Sequence, residues 1–179
     1  MKIAVFGTTL HAGVMAALLA EYGNQIYWCT CVSCEEDISV LTYQDQEVNN
    51  YLNKQRKAGF LIESPFSEIP LDIEVYLFCF SPTQIELALK TVQKLSERPI
   101  VHPRLMINGS TFGLHGTEKL KQHLPKHEWV YFPDVIQEGN AINSVLNVKH
   151  VIIGVESRDA SETMQELLRP FFQFSYQYL

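Results

Sequence analysis

The stretch G-T-T-L-H-A-G, Gly7 to Gly13, follows the apolar run Ile3-Ala4-Val5-Phe6, and its reading decides the fold. An apolar strand, a glycine turn and an Ala- and Leu-rich run open a dinucleotide-binding βαβ unit. In such a loop the first glycine permits the tight turn. The second lets backbone approach a pyrophosphate, and the third lets helix and strand pack closely. Gly7 fills the first role and Ala12 serves for the third. Thr9 stands in the second position, where a β-branched side chain pushes a pyrophosphate outward even though its hydroxyl is able to donate to one. The N–H groups that open the following helix still favour an anion. An acid normally ends the second strand and holds the ribose hydroxyls. In I-Y-W-C-T that position is Thr30, and no acid follows until Glu35.

Outward from this loop, strand-like and helix-like runs alternate, the pattern of an α/β sheet with crossover helices. Val14 to Tyr22 reads as the first helix and Gln25 to Cys29 as the second strand. Val48, Tyr51 and Leu52 fall on one helical face. I-E-V-Y-L-F-C-F, Ile73 to Phe80, is a buried strand, and Ser81-Pro82 after it reads as a helix cap and first turn. Ile85, Ala88, Leu89, Val92 and Leu95 then recur at helical spacing. Further short strands are expected at Leu105–Ile107, Trp129–Phe132 and Val151–Ile153, and a helix over Ala160–Leu168 is stopped by Pro170. No repeat or low-complexity linker divides the 179 residues. The expectation is one Rossmann-like α/β domain over residues 1–179, a mostly parallel sheet with helices on both faces. The closing F-Q-F-S-Y-Q-Y alternates strictly, so residues 171–179 read as a strand with Phe172, Phe174, Tyr176 and Tyr178 on one side. That strand either packs at the sheet edge on the last helix or turns its aromatic face to a partner chain, a second copy included.

Composition narrows the function classes. At 46% hydrophobic and 19% charged the chain is an ordinary soluble domain, and a net charge of -6 argues against nucleic acid or an anionic membrane as partner. No apolar stretch is long enough to span a bilayer, and Met1-Lys2-Ile3 leads straight into a strand with no signal peptide, so a cytoplasmic protein with reduced cysteines is expected. Cys29, Cys31 and Cys34 form C-x-C-x-x-C, one thiol short of a four-ligand zinc site. Packing and loop thiols are the first reading, metal binding and thiol redox chemistry the alternatives, and no metal is assigned. The six histidines are scattered with no paired spacing, and His11, inside the opening loop, reads as a solvent-facing residue.

Beyond the loop, several motifs recur in order. F-S-P-T, Phe80 to Thr83, closes one strand, and Ser110-Thr111 closes L-M-I-N-G. F-P-D-V-I-Q-E-G-N-A-I, Phe132 to Ile142, is followed by V-I-I-G, Val151 to Gly154, and Glu47 opens V-N-N-Y-L. With these markers the chain resembles the N-terminal half of the UDP-glucose/GDP-mannose dehydrogenase family, over roughly Met1 to Arg169. The family oxidises the C6 hydroxyl of a nucleotide sugar to a uronic acid with two NAD. The resemblance therefore implies NAD as cofactor, with Gly7, Thr9, His11, Ala12, Thr30, Pro82 and Thr83 around it. It matches Thr111 to the catalytic threonine, Glu138 to an acid that orders water, and Asp134 to a family glutamate one methylene longer. The family's nucleophilic cysteine, with its lysine and asparagine helpers, is expected in a linking helix and second domain that match no part of this sequence. Ser144, Val148 and His150 replace the family's aspartate, proline and arginine, and S-T-F-G-L-H-G-T is one residue longer than the family turn.

Two readings stay open for Thr111 and Glu138: acid–base helpers, or a strand end and a helix cap. Three follow for the whole chain. It is a degenerate, non-catalytic binding or regulatory module, in polysaccharide or envelope-sugar metabolism. Alternatively it is the NAD-binding half of a dehydrogenase completed by a separate chain, or a protein-interaction scaffold without nucleotide. The ligands these readings imply are a nucleotide sugar, NAD or a partner protein.

Overall fold

The structure is a computed structural model that describes residues 1–30, 41–101 and 103–171. Cys31, Cys34, Glu35, His102 and the aromatic strand expected after Phe171 lie outside the described residues. Seven strands form one sheet: β1 (Lys2–Phe6), β2 (Gln25–Cys29), β3 (Leu61–Glu63), β4 (Val75–Phe78), β5 (Leu105–Asn108), β6 (Trp129–Tyr131) and β7 (Gly154–Val155). Six helices connect them: α1 (Leu10–Glu21), α2 (Gln46–Ala58), α3 (Ile85–Ser96), α4 (Gly116–Lys121), α5 (Ala141–Leu146) and α6 (Arg158–Leu168). The strand order is β3-β2-β1-β4-β5-β6-β7, parallel except where β7 meets β6. The chain builds outward from β1 to β3, returns, and builds the other way from β4. The order therefore reverses between β1 and β4, and ligands of such sheets bind outside the strand C-termini at that point.

Alternation along the central strands divides the core in two. Ile3, Val5, Ile26, Trp28, Val75, Leu77 and Ile107 face the layer of α1, α2, α5 and α6. Ala4, Phe6, Tyr76, Phe78, Met106 and Trp129 face that of α3 and α4. The expected sheet with helices on both faces is the architecture observed. On the second face Phe6 stacks on Phe78 at 5.3 Å and Phe78 on Trp129 at 5.7 Å, which locks the parallel register across three strands. α1 is buried from His11 to Ala20 and apolar all round, because β-sheet covers one side and α2 and α5 the other. The other helices carry one stripe each: Ala88, Val92 and Leu95 in α3, and Ala160, Met164, Leu167 and Leu168 in α6. Ahead of α3, Ser81 and Gln84 form a capping box around a 3-10 turn, Pro82–Gln84, so the cap and first turn read at Ser81-Pro82 stand.

The strand expected at Val151–Ile153 is displaced. Pairing begins at Gly154, opposite Tyr131, and runs antiparallel to β6. α5 has six residues and spans about 9 Å, too short to carry the chain back along the sheet for a parallel crossover. The apolar residues before β7 do other work: Val151 and Ile153 pack on the α1-side core, while Ile152 is 78% exposed.

Candidate functional site

The loops at the C-terminal ends of β1, β4, β5 and β6 meet at the switch point. Gly7 leaves β1 with φ +110, and a Cβ there would lie 2.0 Å from the Cys79 carbonyl oxygen. Only glycine lets the two loops approach so closely. The Trp28 indole N–H donates to Gly7 O at 2.9 Å and fixes the turn from β2. Ala12, fully buried, gives the close helix–strand packing expected of it.

Thr9, expected to point into the phosphate position, turns its hydroxyl onto its own helix. It is the N-cap of α1: its Oγ1 accepts from Ala12 N–H at 3.2 Å and donates to Cys79 O at 3.1 Å. An intramolecular cap satisfies one orphan N–H of the helix start at no association cost and contributes about 1 kcal/mol. Tyr43 covers the same turn. Its ring lies where a Cβ on Gly13 would stand, 2.4 Å from Cε2, and its hydroxyl donates to Thr9 O at 3.0 Å. Asn49 holds the Tyr43 backbone, accepting from its N–H at 2.8 Å and donating to its carbonyl at 2.7 Å. Burial pushes the Tyr43 hydroxyl pKa well up, so it remains a donor.

His11 contradicts the solvent-facing expectation. It is 3% exposed, inside the first turn of α1, because that helix is covered all round. Its Nδ1 is 3.0 Å from Gly109 O, and its ring packs on Phe132 with centroids 5.8 Å apart. Burial lowers its pKa, against the pull of the Asp134 charge and the Gly109 bond. Cys79 lies alongside, its thiol pKa raised by burial first and by the Asp134 charge second. Cys29 is fully buried, in keeping with a packing thiol.

The remaining residues of the expected site scatter along the rim. Thr30 follows β2, half-buried, and Pro82 and Thr83 are exposed in the turn before α3. The Ser110-Thr111 pair does not end a strand, since β5 stops at Asn108. Ser110 is instead a buried stitch: its Oγ accepts from Phe80 N–H at 2.8 Å and donates to Phe78 O at 3.1 Å, while Thr111 is exposed. Asp134 is exposed, with Oδ1 accepting from Ile136 N–H at 2.9 Å. Glu138 does not cap a helix. It sits in the exposed turn before α5, whose N-cap position is Asn140.

Asp45 takes the capping role instead, and sequence reasoning missed it. One oxygen accepts from Glu47 N–H and Val48 N–H at 3.0 and 3.3 Å, capping α2. The other accepts from Ala141 N–H at 3.1 Å, at the start of α5. The first half was legible as an Asp before an apolar helical face; the second joins residues 96 apart and left no local signal. A cleft of about 520 Å³ opens between α1, Tyr43–Asp45 and Glu138–Gly139. Among the described residues, the side chains that line it, Leu10, Tyr43, Gln44, Asp45 and Glu138, include no cation to meet a phosphate.

No family model matches the chain. It is 25% identical to UDP-glucose 6-dehydrogenase TuaD of Bacillus subtilis over 198 aligned positions, covering 95% of this chain and 41% of that protein. Among solved structures it is similar to the UDP-glucose dehydrogenase of Pyrobaculum islandicum, at TM-score 0.76 and 13% identity, over 96% of this chain and 44% of that one. It is likewise similar to the UDP-D-ManNAc dehydrogenase of Pyrococcus horikoshii, at TM-score 0.74 and 22% identity, over 96% and 45%. The chain spans less than half the length of each. In sequence, then, the chain is similar to part of a UDP-glucose 6-dehydrogenase, and in fold to part of nucleotide-sugar dehydrogenase structures.

Proposed function

We propose that this chain is a degenerate dehydrogenase-like domain that binds NAD weakly or not at all and acts as a binding or regulatory module in nucleotide-sugar metabolism. The observation that carries the reading is the Thr9 hydroxyl, spent on Ala12 N–H and Cys79 O in the position where a second glycine would admit a pyrophosphate. Three others support it: Tyr43 covers the same turn, Thr30 offers a hydroxyl in place of the ribose acid, and the cleft side chains include no cation. Thr111 follows β5, whereas Asp134 and Glu138 share the loop between β6 and α5, and all three are exposed. The groups present fit the turn of a dinucleotide loop and not its grip.

Calorimetric titration of the full chain with NAD tests this. The expected result is no saturation at millimolar NAD; micromolar affinity abolished by Gly7→Val would overturn the reading. A second reading is the NAD-binding half of a dehydrogenase completed by another chain. It is favoured by Gly7, whose close approach to Cys79 O keeps the turn such a loop needs.

A further inference from the structure

His11 is a titratable side chain that ties the start of α1 to two loops of the mouth. It sits in the first turn of α1, bonds to Gly109 after β5 and packs on Phe132 after β6. Gly109 is enclosed by it from below: a Cβ there would meet Cys79 Sγ at 2.8 Å and His11 Cε1 at 3.1 Å. Because Gly109 O accepts only, Nδ1 carries the hydrogen in the neutral ring, and Nε2 is the basic nitrogen. We propose that His11 is an acid-operated latch: neutral, it holds the loops after β5 and β6 against α1, and protonated, it leaves its pocket and releases both while the central sheet stays paired.

The chemistry is a single proton taken from water at Nε2; the Nδ1–H bond to Gly109 O favours the cation and is lost only as the ring leaves its buried place. Burial against Phe132 and Cys79, neither of them a counter-charge, disfavours the imidazolium more than the Gly109 bond favours it. Among the described residues the titratable groups facing the ring are Cys79, after β4, and Asp134, after β6. Cys79 stays a neutral thiol through burial, so Asp134, exposed at the rim, is the charge toward which the cation moves. That path pulls the ring outward from under Gly109. The lowered pKa of His11 agrees with a closed state that resists the proton.

The latch is independent of whether the mouth binds NAD, so its failure leaves the proposed function untouched. Native-state hydrogen exchange between pH 8 and 5, corrected for intrinsic rates, tests it on the full chain. The reporters are Phe80 N–H, bonded to Ser110 Oγ, and Ser110 N–H, bonded to Asn108 Oδ1. As His11 begins to protonate in the open form, their protection is expected to fall by up to about tenfold per pH unit. Val5 and Leu77, inside β1 and β4, should keep theirs, and His11→Val should abolish the pH dependence. Equal loss in His11→Val, simultaneous loss at Val5 and Leu77, or no change down to pH 5 would each overturn the latch. Should His11→Val not fold, Asp134→Asn carries the test, since its side-chain oxygen still accepts from Ile136 N–H. The opening should then move to lower pH, and an unmoved profile would overturn the proposal.

Discussion

Thr9 and Gly7 show how two residues of one turn divide its work. Gly7 is dictated by geometry, with φ +110 and a carbonyl 2.0 Å from where its Cβ would be. Gly7→Ala must move the β1 and β4 loops apart and adopt a left-handed conformation, so it is expected to cost roughly 3 kcal/mol or more, read as a lower urea midpoint. Thr9 serves the helix. Thr9→Val removes the cap and should cost about 1 kcal/mol, whereas Thr9→Gly should cost only a few tenths. The second change therefore isolates the ligand question from the stability question. If the side chain at this position, together with the missing ribose acid, is what excludes the cofactor, the double variant Thr9→Gly, Thr30→Asp should gain measurable NAD affinity by calorimetry. A double variant that folds and stays as inert as the wild type would place the obstruction elsewhere, with Tyr43 the next suspect.

At the scale of elements, Asp45 joins what the chain keeps far apart. Its two carboxylate oxygens cap α2 and the start of α5, and Glu47 Oε2 accepts from Asn143 Nδ2 at 3.4 Å beside it. Asp45→Ala should cost about 1–2 kcal/mol in equilibrium unfolding, the usual range for a lost cap. Asp45→Asn is more informative, because an amide has one acceptor oxygen and its NH₂ cannot accept from Ala141 N–H. It should keep the α2 cap, lose the α5 contact and fall between wild type and the alanine variant. Equal stability of wild type and Asp45→Asn would show that the α5 contact contributes nothing. α1, α2, α3 and α6 were legible to within a few residues because their periodic apolar positions are local, whereas α4 and α5, six residues each, are too short to carry a period. β7 was misplaced for a non-local reason. V-I-I-G has strand composition, but whether it pairs depends on where a six-residue helix delivers the chain.

For the whole molecule, two histidines of the described residues are expected to shape the response to mild acid. Burial lowers the pKa of His11 and of His127 below the ordinary 6.5. Below that value the unfolded chain binds protons that the folded chain refuses, so unfolding is favoured. Stability is expected to be flat above pH 7 and to fall between about pH 6.5 and 5, visible as a shrinking urea midpoint. His11→Val should flatten most of that fall, since His11 is far more deeply buried than His127. A slope unchanged in both His11→Val and His127→Ala would assign the acid sensitivity to the carboxylates. No described helix is long and apolar enough to cross a membrane, in line with the absence of a spanning run in the sequence.

The sequence by itself determined the alternation of the central strands and the longer helices, the glycine turn at Gly7, the capping pair at Ser81-Pro82 and the resemblance to a dehydrogenase half. The first three are encoded in composition, periodicity and spacing over short stretches, the last in the order of motifs along the chain. Tertiary structure alone decided what those residues face. It buried His11, turned the Thr9 hydroxyl back onto its own helix, made Ser110 a stitch rather than a strand end, and brought Tyr43 and Asp45 onto loops they precede or follow by 30 residues or more. The physical reason is that a local pattern sets a backbone conformation, whereas burial, electrostatics and hydrogen-bond partners are supplied by segments distant in the chain. The open loop of the sequence became a capped and covered one only when β4, β5 and the segment before α2 closed around it.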